Sequence, residues 1–336
     1  MTFIVDAASL SAWQACRRRF LLSSAWHPKK WRPRSLLSSC LRQAIYDISN
    51  GADPKHASKE SRVRFMQTAA DAGLDMEPGG DPYQLAKDCC AILDVVPRCV
   101  AKLILLTVQP APDIKLDPDI HWHPLAWADD SGALHRWVFT DRTDADRMHS
   151  EAISWYVAGD VMLSRVPMTL HFIRVGRMEK GRMRSPWTQA YFLPQMRNAD
   201  YHFRSPKGKK LQGTWETKYL VDDAYVDVDE WAERCWTEGA AIEWMQHVNV
   251  KVPDEDACAT TEAMVRMEAQ EMRFAAESQW APKWDKYAMA RGVCDGPFLP
   301  CVYQNLCYAP QPVVIEKNGL YVRRSPAYDV PQEVPA

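Results

Sequence analysis

Four cysteines have the residue type and the placement of a soft-metal site. Cys16 lies near the start of the chain, whereas Cys294, Cys301 and Cys307 lie together near its end. Cysteine thiolates bind zinc or iron-sulfur clusters, and four of them complete the ligand set of either group. Compact zinc sites usually use Cys-x-x-Cys pairs, and the sequence contains none. The spacing therefore favours a cluster over zinc, with ordinary thiols as the alternative, and such a site would hold the two ends of the chain together.

Length and composition indicate a globular protein. The 336 residues are 47% hydrophobic and 25% charged, which is enough to bury a large core and to form two lobes. No apolar run reaches membrane-spanning length, and the basic residues near the start follow the apolar stretch instead of preceding it as in a signal peptide. We therefore expect a cytoplasmic protein with reduced thiols and no membrane partner. The other cysteines are interpreted as small buried hydrophobic residues, namely Cys40, Cys89, Cys90, Cys99, Cys235 and Cys258.

Basic residues are concentrated in two windows that suit the phosphate backbone of a nucleic acid. The stretch from Ala7 to Tyr46 contains no acidic residue, and a second window from Arg174 to Lys210 is also strongly basic. Tryptophans interleaved with the first window would offer stacking surfaces to bases. The alternative is that these charges are simply solvated faces of the protein. The nucleic-acid-binding candidates of the first window are Arg17, Arg18, Arg19, Lys29, Lys30, Arg32 and Arg34.

Residue patterns predict helices at both ends and strands between them. The first hundred residues are helix-like, with a Ser9 cap on the first helix and an interruption at Pro97 in a helix over Tyr83–Leu106. A turn at residues 129–132 separates strands over Ile120–Ala128 and Ala133–Thr140. A helix over 146–163, strands over 168–175 and 187–193, and a hairpin around 206–208 follow. Helices are then expected over 230–246 and 256–276, and a short strand over 319–323.

The two ends of the chain and the order of its elements resemble the iron-sulfur branch of the PD-(D/E)XK nuclease superfamily. This branch includes RecB-like exonuclease domains and the nuclease of CRISPR adaptation. The likeness is carried by Ser9-Leu10-Ser11-Ala12-Trp13-Gln14-Ala15-Cys16-Arg17-Arg18-Arg19-Phe20 and by the C-terminal cysteine group. Family members hold a 4Fe-4S cluster with one cysteine from such a first helix and three from such a tail. The resemblance thus implies a 4Fe-4S cluster on Cys16, Cys294, Cys301 and Cys307.

The resemblance also implies a domain organisation. It predicts a mixed α/β fold in which a PD-(D/E)XK-like core sheet is flanked by helices. The N-terminal helical lobe would occupy residues 1–110 and the nuclease-like core residues 111–290. The cysteine segment would occupy residues 291–323, and residues 324–336 are expected to form a disordered tail.

The middle of the chain departs from the family at the catalytic positions. Active members place an acidic residue on one core strand and an acidic-x-Lys triplet on the next, because carboxylates hold a divalent metal and the lysine helps to activate water. Here the triplet is Asp141-Arg142-Thr143, so Thr143 stands at the lysine position. The preceding segment, Trp122-His123-Pro124-Leu125, has no aspartate. The next helix carries Glu151 in an imperfect match to a Gln-x-x-x-Tyr element, and Gln43 stands near the position of a family histidine.

Remaining carboxylates supply candidates for a catalytic site. Asp141, Asp119 and Glu151 would be the catalytic residues, with Mg²⁺ or Mn²⁺ as the metal. A second acidic-x-Lys pattern occurs at Glu216-Thr217-Lys218, with Asp200 as its accompanying carboxylate. Three histidines of the strand region, His121, His123 and His135, are interpreted as surface or core residues and not as metal ligands.

These observations favour a nuclease-like iron-sulfur protein that binds DNA and has lost its catalytic motif. Such a module would work in a larger complex with other protein subunits, such as a helicase or a nucleoprotein assembly. Two alternatives remain. The first is an active metal-dependent deoxyribonuclease, and the second is a scaffold whose basic windows bind an acidic protein partner.

Overall fold

The computed structural model describes residues 2–17, 20–21, 26–28, 33–71, 81–103, 107–187, 244–277 and 321–323. Within these ranges the helices are Ala7–Ala15 (α1), Pro33–Ser49 (α2), Pro54–Asp71 (α3), Asp81–Leu103 (α4), Ala145–Ala152 (α5), Trp155–Ser164 (α6) and Glu255–Glu277 (α7). The strands are Phe3–Val5 (β1), Trp26–Pro28 (β2), Val108–Pro110 (β3), Ile114–Asp117 (β4), Ile120–Trp122 (β5), Trp127–Asp129 (β6), Leu134–Thr140 (β7), Met168–Arg174 (β8), Arg177–Glu179 (β9), Arg182–Arg184 (β10), Met245–Val250 (β11) and Tyr321–Arg323 (β12). The fold is mixed α/β, as the sequence predicts.

A five-stranded mixed sheet, in the order β11-β8-β7-β6-β3, forms the centre. The pairs β3–β6, β6–β7 and β8–β11 are antiparallel. β7 and β8 are parallel and pair along their whole length, from Leu134 opposite Met168 to Thr140 opposite Arg174. Because parallel strands cannot be joined by a tight hairpin, α5 and α6 carry the chain back from the end of β7 to the start of β8. The carboxyl ends of both strands therefore meet at one edge of the sheet.

Helices cover both faces of this sheet. All seven residues of β7 are buried, as is usual for a strand whose two faces are both packed. On one face Trp137 belongs to a core that includes residues of α2, α3 and α4. On the other face Val138 shares a core with Val157 and Val161 of α6. The strand pair β7–β8 is thus the most enclosed part of the central sheet.

A second, three-stranded sheet has the order β1-β5-β4 and packs with α1, α6 and α7. Asp160 of α6 ties the two sheets together. This fully buried carboxylate accepts hydrogen bonds from Trp122 Nε1 at 2.8 Å and from the Leu125 backbone N–H at 2.9 Å. The buried Arg136 of β7 donates to the Leu125 carbonyl oxygen at 2.8 Å. Each buried polar group at this junction has a partner, as a stable interior requires.

The two ends of the chain are paired as a small antiparallel ribbon. β12 pairs with β2 in a register that places Tyr321 opposite Pro28 and Arg323 opposite Trp26. The segment that follows the C-terminal cysteines therefore lies beside the segment that follows Cys16. This arrangement agrees with the expectation that the ends of the chain are held together.

Several local predictions are confirmed by the structure. The turn at residues 129–132 joins the antiparallel strands β6 and β7, and Gly132 there has a φ of 83°, which glycine adopts without strain. The strand predicted over 168–175 is β8, and the helix predicted over 256–276 is α7. The short strand expected over 319–323 is β12. The predictions for residues 188–193 and 206–208, and the tail 324–336, lie outside the described residues.

Other predictions, which concern the bounds and caps of helices, are wrong. Pro97 does not interrupt α4, because the buried side chains on both sides of it, including Leu93 and Val100, pack in the core and offset a cost of roughly 3 kcal/mol. The cap of α1 is Asp6, whose side chain accepts from the Ser9 N–H, whereas Ser9 closes the capping box from within the helix. Met245 belongs to β11 and not to a helix over 230–246, of which residues 230–243 lie outside the described part of the chain.

Two predicted elements are divided in the structure. The segment Ile120–Ala128 forms two short strands in different sheets, β5 and β6, so the strand beside β7 is β6 and not the segment around Trp122. The helix predicted over 146–163 is split into α5 and α6 at Ile153 and Ser154, where Ser154 takes the N-cap position of α6. Neither division is marked by a glycine, although Pro124 stands between β5 and β6.

Candidate functional site

A charged cleft lies at the carboxyl ends of the parallel strands β7 and β8. Asp141 follows the last residue of β7, and Arg174 is the last residue of β8. The hairpin β9–β10 supplies the opposite wall. The cleft has a volume of about 320 Å³ and is lined by Asp141, Arg174, Gly176, Arg177, Glu179, Arg184 and Pro186. Ligands of open α/β sheets commonly bind at this end of parallel strands.

Gly176 allows the hairpin wall to pack against the end of β8. Its φ of 130° is one that residues with a side chain rarely adopt. A Cβ atom added at this position would overlap the carbonyl oxygen of Arg184. The wall of the cleft therefore depends on the absence of a side chain at residue 176.

Arginines engage both carboxylates of the cleft. Arg34 Nη2 lies 3.3 Å from Asp141 Oδ1, and Glu179 forms ion pairs with Arg177 and, at 4.0 Å, with Arg184. Among the described residues, the buried Nε atom of Arg174 has no hydrogen-bond partner. In the part of the chain that the structure describes, four arginines thus face two carboxylates, which is an excess of positive charge.

Asp141 is held in its ionised form. Partial burial on its own would raise the pKa of this carboxyl group, but its own backbone N–H, the Arg34 guanidinium and the Thr140 hydroxyl together hold the pKa below its usual range. The Thr140 hydroxyl lies 3.4 Å from Asp141 Oδ1. Asp141 is therefore a charged, paired residue at neutral pH and is not free to take up a proton.

The structure does not bring the three catalytic candidates into one site. Asp119 lies in a different cleft, beside α7, where Arg273 Nη1 is 3.4 Å from its Oδ2 atom. Glu151 is mostly buried on α5 and pairs with Arg147 at 3.5 Å. Asp129, the carboxylate on the strand next to β7, lies at the opposite end of β7 from Asp141. Only Asp141 of these carboxylates lines the arginine-rich cleft.

The described residues do not support metal binding by carboxylates and histidines. No group of three or more histidine, cysteine, aspartate or glutamate residues there is arranged to hold a metal ion. Gln43, at the expected position of a family histidine, donates to Asp47 at 2.7 Å. His123 contacts Asp113 at 2.7 Å, whereas His135 contacts a different histidine, on β8. Asp200 and Glu216-Thr217-Lys218 lie outside the described residues.

The cysteines are described only in part. Cys16 is buried at the C-terminal end of α1, where its backbone N–H donates to the Ala12 carbonyl at 3.0 Å. Cys294, Cys301 and Cys307 lie outside the described residues. Burial raises the pKa of Cys40 to about 11 and also raises that of Cys89, so these thiols stay protonated. This agrees with their interpretation as structural residues.

The basic residues of the first window have different environments. Arg17 donates to Glu271 of α7 at 2.7 Å and lies over the Trp13 ring, 4.9 Å from its centre. Its charge therefore joins α1 to α7. Arg34, by contrast, points to the cleft through its contact with Asp141. The other candidates lie outside the described residues, namely Arg18, Arg19, Lys29, Lys30 and Arg32.

Comparison of the chain with protein-family models, with curated proteins and with solved structures finds no match. The interpretation of the cleft therefore depends on its own geometry and charge. None of the helices in the described ranges combines the length and the apolar character needed to cross a membrane.

The packing of the cleft wall predicts how a methyl group added at residue 176 changes the stability of the protein. Gly176→Ala should lower the free energy of unfolding by at least about 2 kcal/mol, because the backbone is strained and the methyl group overlaps the Arg184 carbonyl. Gly181→Ala is the matched control, because Gly181 also has a positive φ but has open space around it, and it should cost only about 1 kcal/mol. Chemical denaturation of both variants checks this, and equal losses would contradict the close approach at Gly176.

Proposed function

We propose that this protein binds nucleic acid, DNA in the first instance, by placing phosphate groups in the arginine-lined cleft, and that it does not cleave the bound strand. The single observation that carries the proposal is the convergence of Arg34, Arg174, Arg177 and Arg184 on the edge of the sheet where β7 and β8 end. Guanidinium groups present donors in a planar fork that matches phosphate oxygens, so arginine is suited to this role.

The size of the cleft favours a single strand over a duplex. A volume of about 320 Å³ is at the lower end of ligand pockets and admits a short stretch of backbone. We therefore infer that a strand end or a single-stranded tract is the bound form.

The absence of cleavage follows from the state of the carboxylates. A metal-dependent nuclease needs convergent carboxylates to hold a divalent ion beside the phosphate. Here both carboxylates of the cleft are paired with arginines, and Thr143 stands where the resemblance places a lysine. A site that neutralises its own carboxylates with arginine is suited to hold an anion and not a metal.

The wider fold supports a nuclease-like ancestry of this binding module. The strand hairpin β6–β7 is followed by the helices α5 and α6 and then by the further strand β8, which is the order of elements on which the resemblance is based. A module of this kind would contribute strand binding to a larger assembly that contains other subunits, such as a helicase.

We further propose that Cys16, Cys294, Cys301 and Cys307 hold a 4Fe-4S cluster. Four thiolates are the donor set that such a cluster requires, and Cys16 is buried, as a cluster ligand should be. The pairing of β2 with β12 brings together the segments that follow the first and the last of these cysteines. The cluster would stabilise this junction, because metal-ligand energy contributes to folding energy.

The binding proposal predicts a particular salt dependence. Changing Arg177 and Arg184 together to alanine should weaken binding of a single-stranded oligonucleotide and reduce the slope of log K against log salt concentration by about 1.4, because two phosphate contacts are lost. The matched control changes Arg165 and Arg266, which pair with Glu255 and Glu262 of α7, and should leave the slope unaltered. Fluorescence anisotropy over a salt series measures both, and equal slopes for the two double variants would contradict the proposal.

Cleavage assays distinguish a protein that only binds DNA from a nuclease. With Mg²⁺ or Mn²⁺, we expect no cleavage of linear or single-stranded DNA above the background of an Asp141→Ala variant, since no second carboxylate among the described residues is free to share a metal ion with Asp141. Cleavage that Asp141→Ala abolishes would establish a nuclease instead. Cleavage that survives this change but is lost in Glu216→Ala or Lys218→Ala would place the catalytic site in the other acidic-x-Lys segment.

The cluster proposal predicts a coloured protein after anaerobic purification. Cys16→Ser should remove the broad visible absorbance and lower the iron content, whereas Cys40→Ala should retain both, because the Cys40 thiol is buried in the helical core. Absorbance spectra and iron analysis provide the measurement. A colourless and iron-free parent protein would refute the cluster and leave the proposal for DNA binding untouched.

A further inference from the structure

A continuous chain of hydrogen-bonded side chains crosses the central sheet away from the arginine-lined cleft. Asp129 Oδ2 lies 3.0 Å from His135 Nε2, and His135 Nδ1 lies 3.0 Å from His171 Nε2. His171 Nδ1 lies 2.9 Å from His247 Nδ1. These residues come from β6, β7, β8 and β11 in turn. None of the predicted functions requires such a chain.

The register of the sheet explains how the histidines meet. His247 pairs directly with His171, which in turn pairs with Trp137, and Trp127 pairs with His135. Since opposed residues of paired strands point to the same side, all of these side chains share one face of the sheet. His135 and His171 are buried, whereas His247 is exposed on β11, the outer strand of this sheet in the described part of the chain. The chain therefore runs from the interior to the surface.

The chemistry of the groups gives this chain a direction. An ionised carboxylate only accepts hydrogen bonds, so Asp129 requires the hydrogen on His135 Nε2. In the neutral tautomer with its hydrogen on Nε2, the Nδ1 atom of His135 is bare, which requires the hydrogen on His171 Nε2. With its hydrogen on Nε2, the neutral His171 has a bare Nδ1 atom. This atom accepts from His247, so the hydrogen of His247 lies on Nδ1. The Nε2 atom of His247 is left without a hydrogen at the exposed end.

The protonation states agree with this arrangement. Hydrogen bonds from the Ser131 hydroxyl, from His135 and from backbone N–H groups outweigh the effect of burial and lower the pKa of Asp129 to about 2, so it is ionised. Burial, together with the neighbouring imidazoles, lowers the pKa of His171 to about 3, and partial desolvation of the ring on its His171 side also lowers the pKa of His247. At neutral pH both imidazoles are therefore uncharged, as the tautomers require.

We propose that Asp129, His135 and His171 act as positioning residues that fix the tautomer of His247, so that its bare Nε2 atom is presented as a hydrogen-bond acceptor at the exposed side of β11. This atom would accept a hydrogen bond from an O–H or N–H group of a ligand bound there, and the proton stays on the ligand. No other hydrogen bond of the chain has to change when such a ligand binds.

Asp129 offers a variant that reverses the chain without removing a side chain. Its Oδ1 atom accepts from Ser131 and from the Ala133 N–H, which fix the turn, while Oδ2 serves only His135 among the described contacts. In Asp129→Asn the amide oxygen keeps the turn and the amide nitrogen faces His135 Nε2. His135 Nε2 must then accept a hydrogen bond from the amide nitrogen. Every tautomer along the chain is therefore inverted, and the hydrogen of His247 moves to its Nε2 atom.

Nuclear magnetic resonance of the full chain with ¹⁵N-labelled histidine tests this assignment. The unaltered protein should show His247 with its hydrogen on Nδ1, and Asp129→Asn should show it on Nε2. Asp130→Asn, a change at the adjacent exposed aspartate, should leave the tautomer as it is. A hydrogen on His247 Nε2 in the unaltered protein, or no change of tautomer in Asp129→Asn, would overturn the proposal.

Chemical modification supplies an independent readout of the basic nitrogen. Diethyl pyrocarbonate acylates a bare imidazole nitrogen, so His247 should react at least about tenfold more slowly in Asp129→Asn than in the unaltered chain or in Asp130→Asn. Should Asp129→Asn not fold, His171→Phe keeps a flat ring in the stack with Trp137 and breaks the chain at its middle. His247 should then lose its Nδ1 tautomer, and retention of that tautomer in His171→Phe would equally overturn the proposal.

Discussion

The parallel pairing of β7 with β8 is the constraint on which the functional features depend. The two strands pair over seven residues each, with helices on both faces of the sheet. Because the pairing is parallel, the ends of the two strands meet at one edge, and Asp141 and Arg174 become neighbours although the α5–α6 crossover separates them in sequence. The hairpin β9–β10 follows at once and completes the cleft, since Gly176 allows it to approach closely.

The same register sets the histidine chain. A shift of one residue between β7 and β8 would turn His171 to the opposite face of the sheet, where α6 packs, and would break the contact with His135. A buried polar group without partners is costly, so the chain of hydrogen bonds also opposes such a shift. The cleft at the end of the strands and the polar chain along them are thus two consequences of one pairing.

Features that form within a short stretch of sequence could be predicted, whereas features that bring distant residues together could not. The turn around Gly132 and the periodic apolar helices are encoded within short windows, and they are found where expected. Pro124 is the one turn marker between β5 and β6, so one strand was expected where two sheets share the segment. His135 contacts His171 of β8, and His171 contacts His247 of β11, so this histidine chain joins residues that are far apart in sequence and does not include the nearby His121 and His123. The excess of arginine in the second basic window is visible in the sequence, but its meeting with Asp141 requires the parallel crossover.

Hydrogen-deuterium exchange with and without a bound single-stranded oligonucleotide tests the central claim most directly. Binding in the arginine-lined cleft should slow amide exchange over residues 174–186, the end of β8 and the β9–β10 hairpin. Exchange over residues 117–120 and 270–277, which line the separate cleft beside α7, should stay unchanged. Protection of that second cleft with none over residues 174–186 would contradict the account.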